Sequence, residues 1–483
     1  TRKESSAASD VYKRQDITGT TYQPSEIVLQ CKKVFKNIIA YDKFDFDGKK
    51  ESMYALRPAF DTVADMIGKG KKVPESLLEI FAQNPEYSAK LDSLINAKDK
   101  VPFKIFDKKN AEKLFGKNLN ISASQLEKFN LCRFSYFCNY GLNVRERQKA
   151  EINPMQYGTI VHYILERFFS EYTKEEYLSL EEDKFQKIVC AYLAEYAVKY
   201  FGEEQLESNS FTYRLKTILD NVMYLMKHIM EELYQSEFFV ADCELKIGED
   251  IPSYTIVLPD GHKIAVCGSV DRVDIMQRAD ITYLRIIDYK TGTKQFKLSD
   301  ILYGINLQML LYLHSIEASG GDKYGEIVPA GILYMPATVP YISSDSLKSI
   351  DKLPDELNKK LKMNGLLLKD TEIIHGMDKT DAATYIPVKI KAGEPVSSTS
   401  LATLAEFGKI FKKVDMLIAE MGKNIYNGNI EAKPLKGGHD SCEYCPYDSV
   451  CAYRQSNPIT CFSVDNKTVI EEITNEINGK EEE

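Results

Sequence analysis

Apolar positions fall at helical spacing through the first half of the chain and switch to strand-like alternation at Phe238. Residues 24–118 read as mostly helical, with short apolar pieces at Leu77 to Phe81 and Leu91 to Ile95, punctuated by Pro74 and Pro102. Ile121-Ser122-Ala123-Ser124-Gln125 is a clear helix start: Ser122 can cap, and Gln125 stands three residues on, as in a capping box. Behind it, Leu126, Phe129, Cys132 and Tyr136 predict one continuous helix. A second helix is expected from Gly158-Thr159, with the stripe Ile160, Val161, Ile164, Leu165, Phe168 and Phe169, and two long ones over 174–200 and 211–237.

Strands are predicted at 238–247, 254–258, 262–276 and 283–290, the last two joined by a turn around Gln277 to Asp280. A helix from about Ser299 to Ile316 and a buried strand, Ala330 to Met335, follow. Residues 338–398 read as an insertion or long loop, about 400–426 as a helix, and 436–462 as a Cys-rich loop. The elements together predict an α/β fold, a sheet with helices on its faces. The expected organisation is an unstructured or artefactual start at 1–15, a helical region over 16–120, the main domain over 121–462 and a polar, frayed tail over 463–483.

A chain of 483 residues suggests two or three domains, and 44% hydrophobic with 28% charged residues marks a globular protein. No stretch approaches the roughly 18 apolar residues of a membrane span, and no charged-then-apolar leader opens the chain, so a cytoplasmic setting is expected. The net charge of −9 argues against a protein that merely coats DNA, yet permits an enzyme with a local basic channel or one handed DNA by a partner. Ten cysteines without signs of secretion read as free thiols or metal ligands rather than disulfides.

Two carboxylates carry the chemistry. Asp271 lies in Gly268-Ser269-Val270-Asp271-Arg272-Val273-Asp274, and Asp288 in Ile286-Ile287-Asp288-Tyr289-Lys290. A hairpin at Gln277 to Asp280 would bring both acids together as hard oxygen ligands for Mg²⁺ or Mn²⁺. Lys290, two residues after Asp288, leaves the same strand face and can orient water or offset developing charge. An isolated Asp-x-Lys is more often a solvated ion pair; here both acids end apolar strands, which favours a site.

Asp271 followed by Asp288-x-Lys290 resembles the RecB-like branch of the PD-(D/E)XK nuclease superfamily. That branch has an upstream helical His, matched by His162, and a Gln and Tyr after the Lys strand, matched by Gln308 and Tyr312. The resemblance implies a restriction-endonuclease-like core and a metal held by His162, Asp271, Asp288 and the Tyr289 carbonyl. It further implies a catalytic Lys290, a supporting Gln308 and Tyr312, and Glu244 as an accessory acid.

Cys442-x2-Cys445-x5-Cys451 is a triplet needing a distant fourth ligand, for which Cys132 is the foremost candidate and Cys138 an alternative; Cys461 is a weaker rival within the C-terminal set. Cys31, Cys190, Cys243 and Cys267 read as ordinary core residues. The one-plus-three layout resembles the iron–sulfur nuclease domain of AddB-type proteins from bacterial AddAB helicase–nucleases, over about residues 121–455. One departure is Arg133, where that family often places Pro.

The resemblance implies a 4Fe–4S cluster, DNA as substrate (single strands from unwound duplex ends, the 5′-ended strand), and a heterodimer with an AddA-like motor subunit in double-strand-break repair. No Gly-x-x-x-x-Gly-Lys-Ser/Thr loop occurs, so ATP hydrolysis is not expected of this chain; residues 16–120 would be the remnant of a helicase-like region. Two other readings stand beside it. A stand-alone CRISPR-associated iron–sulfur exonuclease would be much shorter, and an inactive DNA- or partner-binding scaffold would not need Asp271, Asp288 and Lys290 intact.

Overall fold

The hairpin that sequence alternation predicts lies near the middle of a six-stranded sheet. The computed structural model describes residues 30, 33–35, 55–68, 71–96, 104–145, 154–202, 208–292, 295–340, 342, 353–380, 384–397, 399–451, 453 and 458–481. The start at 1–15 and Cys31 lie outside them.

The chain divides into two units between Val101 and Pro102. In the first, helices Leu56–Gly68, Glu75–Gln83 and Ser88–Asn96 gather a small core of Phe60, Val63, Phe81, Tyr87 and Leu91. Residues 102–120, expected with this helical region, fold instead with the second unit. The cause is strand pairing: Asn118–Ile121 (β1) runs parallel to Lys263–Val266 (β4), which also pairs with Thr255–Val257 (β3) in a small three-stranded sheet.

The main sheet of the second unit comprises Phe239–Ile247 (β2), Gly268–Arg278 (β5), Ile281–Lys290 (β6), Glu326–Pro336 (β7), Asn364–Leu368 (β8) and Leu401–Ala402 (β9). Its order is β9-β8-β7-β6-β5-β2. The β6–β7 and β8–β9 pairs are parallel and the others antiparallel, so the sheet is mixed. The predicted strand over 262–276 is in fact two, broken at Cys267, because β4 leaves for the small sheet.

Four helices matter for the site. The capping box forms as expected at the start of Ala123–Leu131 (α1): Ser122 Oγ accepts from Gln125 N, and Gln125 Oε1 accepts from Ser122 N. The helix stops at Cys132, however, whose extended backbone (φ −168°) caps a second short helix, Arg133–Tyr136. Pro154–Glu171 (α2) packs on β2 and β6, and Asn209–Gln235 (α3) packs on α2. The helix expected over Ser299 to Ile316 is split. A 3₁₀ turn, Leu298–Tyr303, gives way at Gly304 and Asn306, both with positive φ, to Gln308–Ser319 (α4).

Two expectations are corrected on the C-terminal side. The region 338–398, expected as a loop, contributes β8, whose Leu366 and Leu367 are fully buried in the main sheet. The tail, expected to be frayed, forms a helix, Asn466–Glu481. It buries Val469 and Ile473 against Leu404–Tyr426 (α5) and is tied there by Lys413 Nζ to Glu476 Oε2 at 2.5 Å. Among the described residues no helix is long and apolar enough to cross a membrane.

Candidate active site

Strand register brings the acids together. Arg272 pairs with Ile287 across β5–β6, so one step further Asp271 stands across from Asp288. Cys243 pairs with Arg272 and Leu245 with Val270, which sets Glu244 beside Asp271 on the other side. Three neighbouring strands thus each supply one carboxylate at the same level. Glu244 sits in the left-handed region (φ +50°), just past a register shift between Val240 and Asp242. A bulge that re-aims a side chain is a common device beside active sites.

α2 adds the imidazole. His162 Nδ1 lies 3.0 Å from Glu244 Oε1, and Nε2 lies 3.6 Å from Asp271 Oδ2. Ser269 Oγ donates to Glu244 Oε2 at 2.8 Å, and the Tyr289 amide donates to Asp271 Oδ2 at 2.9 Å. Gln308 Nε2 donates to Asp288 Oδ1 at 3.1 Å, while Lys290 Nζ is 2.5 Å from Asp288 Oδ2. The structure therefore gathers His162, Asp271, Asp288, Lys290, Gln308 and Glu244. Tyr312 behaves differently. Its ring covers Gly268, where a Cβ would fall 2.2 Å from the hydroxyl oxygen, so it supports the start of β5, within electrostatic range of Asp271 and Asp288. Ile305 lies ahead of α4 in the loop.

The electrostatics fit a cation. Burial pushes the Asp271 carboxyl up to about 7, and the neighbouring Asp288 adds to the rise. Burial alone would lower His162, yet the Glu244 hydrogen bond and the Asp271 charge reverse this and raise it. Glu244 is held below its usual range despite burial, by His162 and Ser269. Donor atoms of His162, Glu244 and Asp271 all lie within 4.8 Å of one another. Two carboxylates and one imidazole suit a divalent ion of the Mg²⁺ or Mn²⁺ kind. Glu244, expected only as an accessory acid, is thus better placed than Asp288 in this donor trio, because Asp288 is turned toward Gln308 and Lys290.

A buried ion network, which the sequence pattern did not announce, lies behind the site. Arg272, Asp274, Arg285 and Glu232 are all completely buried. Arg272 Nε and Nη2 each lie 2.6 Å from an Asp274 carboxylate oxygen, Arg285 Nη2 is 2.6 Å from Glu232 Oε1, and Arg272 Nη2 is 3.0 Å from Glu232 Oε2. The two guanidinium groups overcome burial and hold Asp274 low. Arg272 also reaches the Tyr289 hydroxyl at 3.5 Å. Tyr289 is therefore gripped on its ring side by the network, while its amide holds Asp271. Arg272 and Asp274, two apart in the Val270–Met276 stretch of β5, were the available signal: both must face one side of the strand.

The cysteines converge as well. Cys132, Cys138, Cys445 and Cys451 share one small cluster with Phe134 and Tyr447, and Cys442 lies within electrostatic range of Cys451. Tyr447 Oη donates to the Val144 carbonyl at 2.6 Å, docking the triplet segment on the chain after α1. Cys461 lies in a separate cluster with Ile305 and Leu435 and accepts from the His439 amide. Among the described residues no three cysteine sulfurs lie within 4.8 Å of one another. Burial raises the Cys132, Cys138 and Cys451 thiols. Cys190, Cys243 and Cys267 are free and half-buried.

The family model described as the PD-(D/E)XK nuclease superfamily matches residues 120–452. The chain is 31% identical over 473 residues to the B-type subunit of the ATP-dependent helicase/deoxyribonuclease of Clostridium acetobutylicum, covering 92% of this chain and 40% of the relative. The like-named protein of Clostridium kluyveri is 31% identical over 500 residues, covering 98% and 43%. That of Ruminiclostridium cellulolyticum is 32% identical over 473 residues, covering 92% and 41%. The chain thus spans about two fifths of the length of the curated relatives it matches.

Proposed function

Because this chain belongs to the PD-(D/E)XK nuclease superfamily, we propose that it hydrolyses DNA phosphodiester bonds with a divalent ion, as the nuclease part of a helicase–nuclease subunit. The observation that carries this reading is the row Glu244–Asp271–Asp288, closed by His162 and Lys290. A bound Mg²⁺ would polarise the scissile phosphate and lower the pKa of a water molecule. His162, Glu244 and Asp271 would hold it, with Asp288 and the Tyr289 carbonyl completing the set. Lys290, kept beside Asp288, offsets negative charge as it develops on the phosphate. Gln308 fixes the Asp288 carboxylate so that it need not reorganise during the step.

The relatives' name supports a helicase partner and DNA as substrate; an AddA-like heterodimer acting on the 5′-ended strand of DNA ends in break repair is the fuller form of this reading. The clustered thiols would carry a 4Fe–4S group on Cys132, Cys442, Cys445 and Cys451, closing a loop around the nuclease and limiting its unfolded-state entropy. The deciding experiment is digestion of linear single-stranded DNA with and without Mg²⁺. Parent protein should cut only with the ion, and Asp288→Asn and Lys290→Ala should lose about 10²–10³-fold. Parental rates in both variants would end the proposal.

A further inference from the structure

Gln308 can steady Asp288 only if α4 begins in one fixed place, and the local sequence does little to fix it. The helix starts after Leu307, which has no side chain able to cap it. The approach is also conformationally awkward: Gly304 (φ +69°) and Asn306 (φ +54°) are both left-handed. Such a start needs support from elsewhere. That support comes from α1, far back in the chain. Glu127 Oε1 accepts from the Leu307 amide at 2.8 Å and from the Gln308 amide at 3.4 Å. One turn on, Asn130 Nδ2 donates to the Gly304 carbonyl at 3.0 Å. A Cβ at Gly304 would fall 2.2 Å from that Asn130 nitrogen, so the loop is pressed directly onto α1.

We propose that Glu127 is a positioning residue of the nuclease centre: from α1 it caps α4 and thereby holds Gln308 against Asp288. A carboxylate at a helix N-terminus satisfies free amides and complements the helix dipole. Here the first amides so held belong to Leu307 and to Gln308 itself, so the cap acts on the residue that reaches the acid. Glu127 also lies at the border of the site. Buried Tyr334, whose ring is 6.0 Å from Lys290 Nζ, feels the charges of Asp288, Glu127 and Asp300 together.

The inference rests on the divalent-ion reading of the site, and the test keeps the two apart. Mn²⁺ binding is measured by calorimetry on the full chain without DNA, together with amide exchange over residues 305–312. Glu127 is half-buried on the surface of α1 and alanine is a strong helix former, so Glu127→Ala retains the fold. It should weaken Mn²⁺ binding about tenfold, the scale of an outer-shell partner, and speed exchange at Leu307 and Gln308. Glu127→Gln, whose carbonyl can still accept, should restore both. In a Gln308→Ala background, Glu127→Ala should add no further loss of Mn²⁺ affinity. Parental Mn²⁺ affinity in Glu127→Ala, or a further tenfold loss in the double variant, overturns the proposal. If Asp271→Asn also binds Mn²⁺ as the parent does, it is the divalent reading that fails, while the exchange data still report on the cap.

Discussion

Asp271 stands across the β5–β6 ladder from Asp288, and the amide of Tyr289, the residue after Asp288, donates to Asp271 at 2.9 Å. Two carboxylates locked so closely repel one another until something positive comes between them. The raised Asp271 carboxyl records that repulsion along with its burial.

Glu244→Ala should therefore weaken the ion rather than the fold. It removes one of three converging donors and leaves His162 without its hydrogen bond. The Mg²⁺ concentration for half-maximal cleavage should rise by at least about 10–100-fold, the cost of losing even an outer partner of a metal ligand. A titration of activity against Mg²⁺ checks this; an unchanged midpoint would remove Glu244 from the site.

Cys442→Ala addresses the thiols. Anaerobically purified parent protein should contain iron and acid-labile sulfide and be brown; the variant should lose the colour and most of both elements. Zinc in place of iron in the parent would defeat the 4Fe–4S reading.

Arg285→Leu should cost about 3–5 kcal/mol in urea unfolding, because it strands Glu232 and Asp274 in the interior with one cation fewer. A loss below about 1 kcal/mol would mean that the network relaxes, which its complete burial makes hard.

His314 supplies a pH signature. Its Nε2 lies 3.0 Å from Asp415 Oδ1, and although burial opposes the charged form, Asp415 and Glu317 raise its pKa to about 9 from 6.5. A group raised on folding stabilises below its unfolded value and loses that contribution as pH climbs through the folded one. The parent should thus lose up to roughly 3 kcal/mol between pH 6.5 and 9.5, at about 1.4 kcal/mol per unit. His314→Gln should lack this slope. Urea midpoints at the two pH values decide it.

The Asp271–Asp288 hairpin was legible because its signals are local: largely apolar strands that each carry an acid, and a turn whose position fixes the register. Glu127 was not legible. It acts across 180 positions of sequence, and its helix looks like any amphipathic surface. The break at Cys132 was hidden by a stripe that keeps helical spacing through it. In the structure Arg133 is the first residue of the next short helix, a position where Pro is well tolerated. Departing from the family's usual Pro there costs the backbone little, and Arg133 instead pairs with Glu420 on α5 at 3.4 Å. The C-terminal helix went unread because Val469 and Ile473 are outnumbered by charged neighbours.

α1 is only nine residues long, yet one end abuts Cys132 while Glu127 and Asn130 grip the approach to α4. If the proposed iron–sulfur group is carried beside Cys132, a molecule stripped of it would keep every proposed acidic ligand and still cut poorly. Its anvil would be sound, but the hand holding the work in place would have slackened.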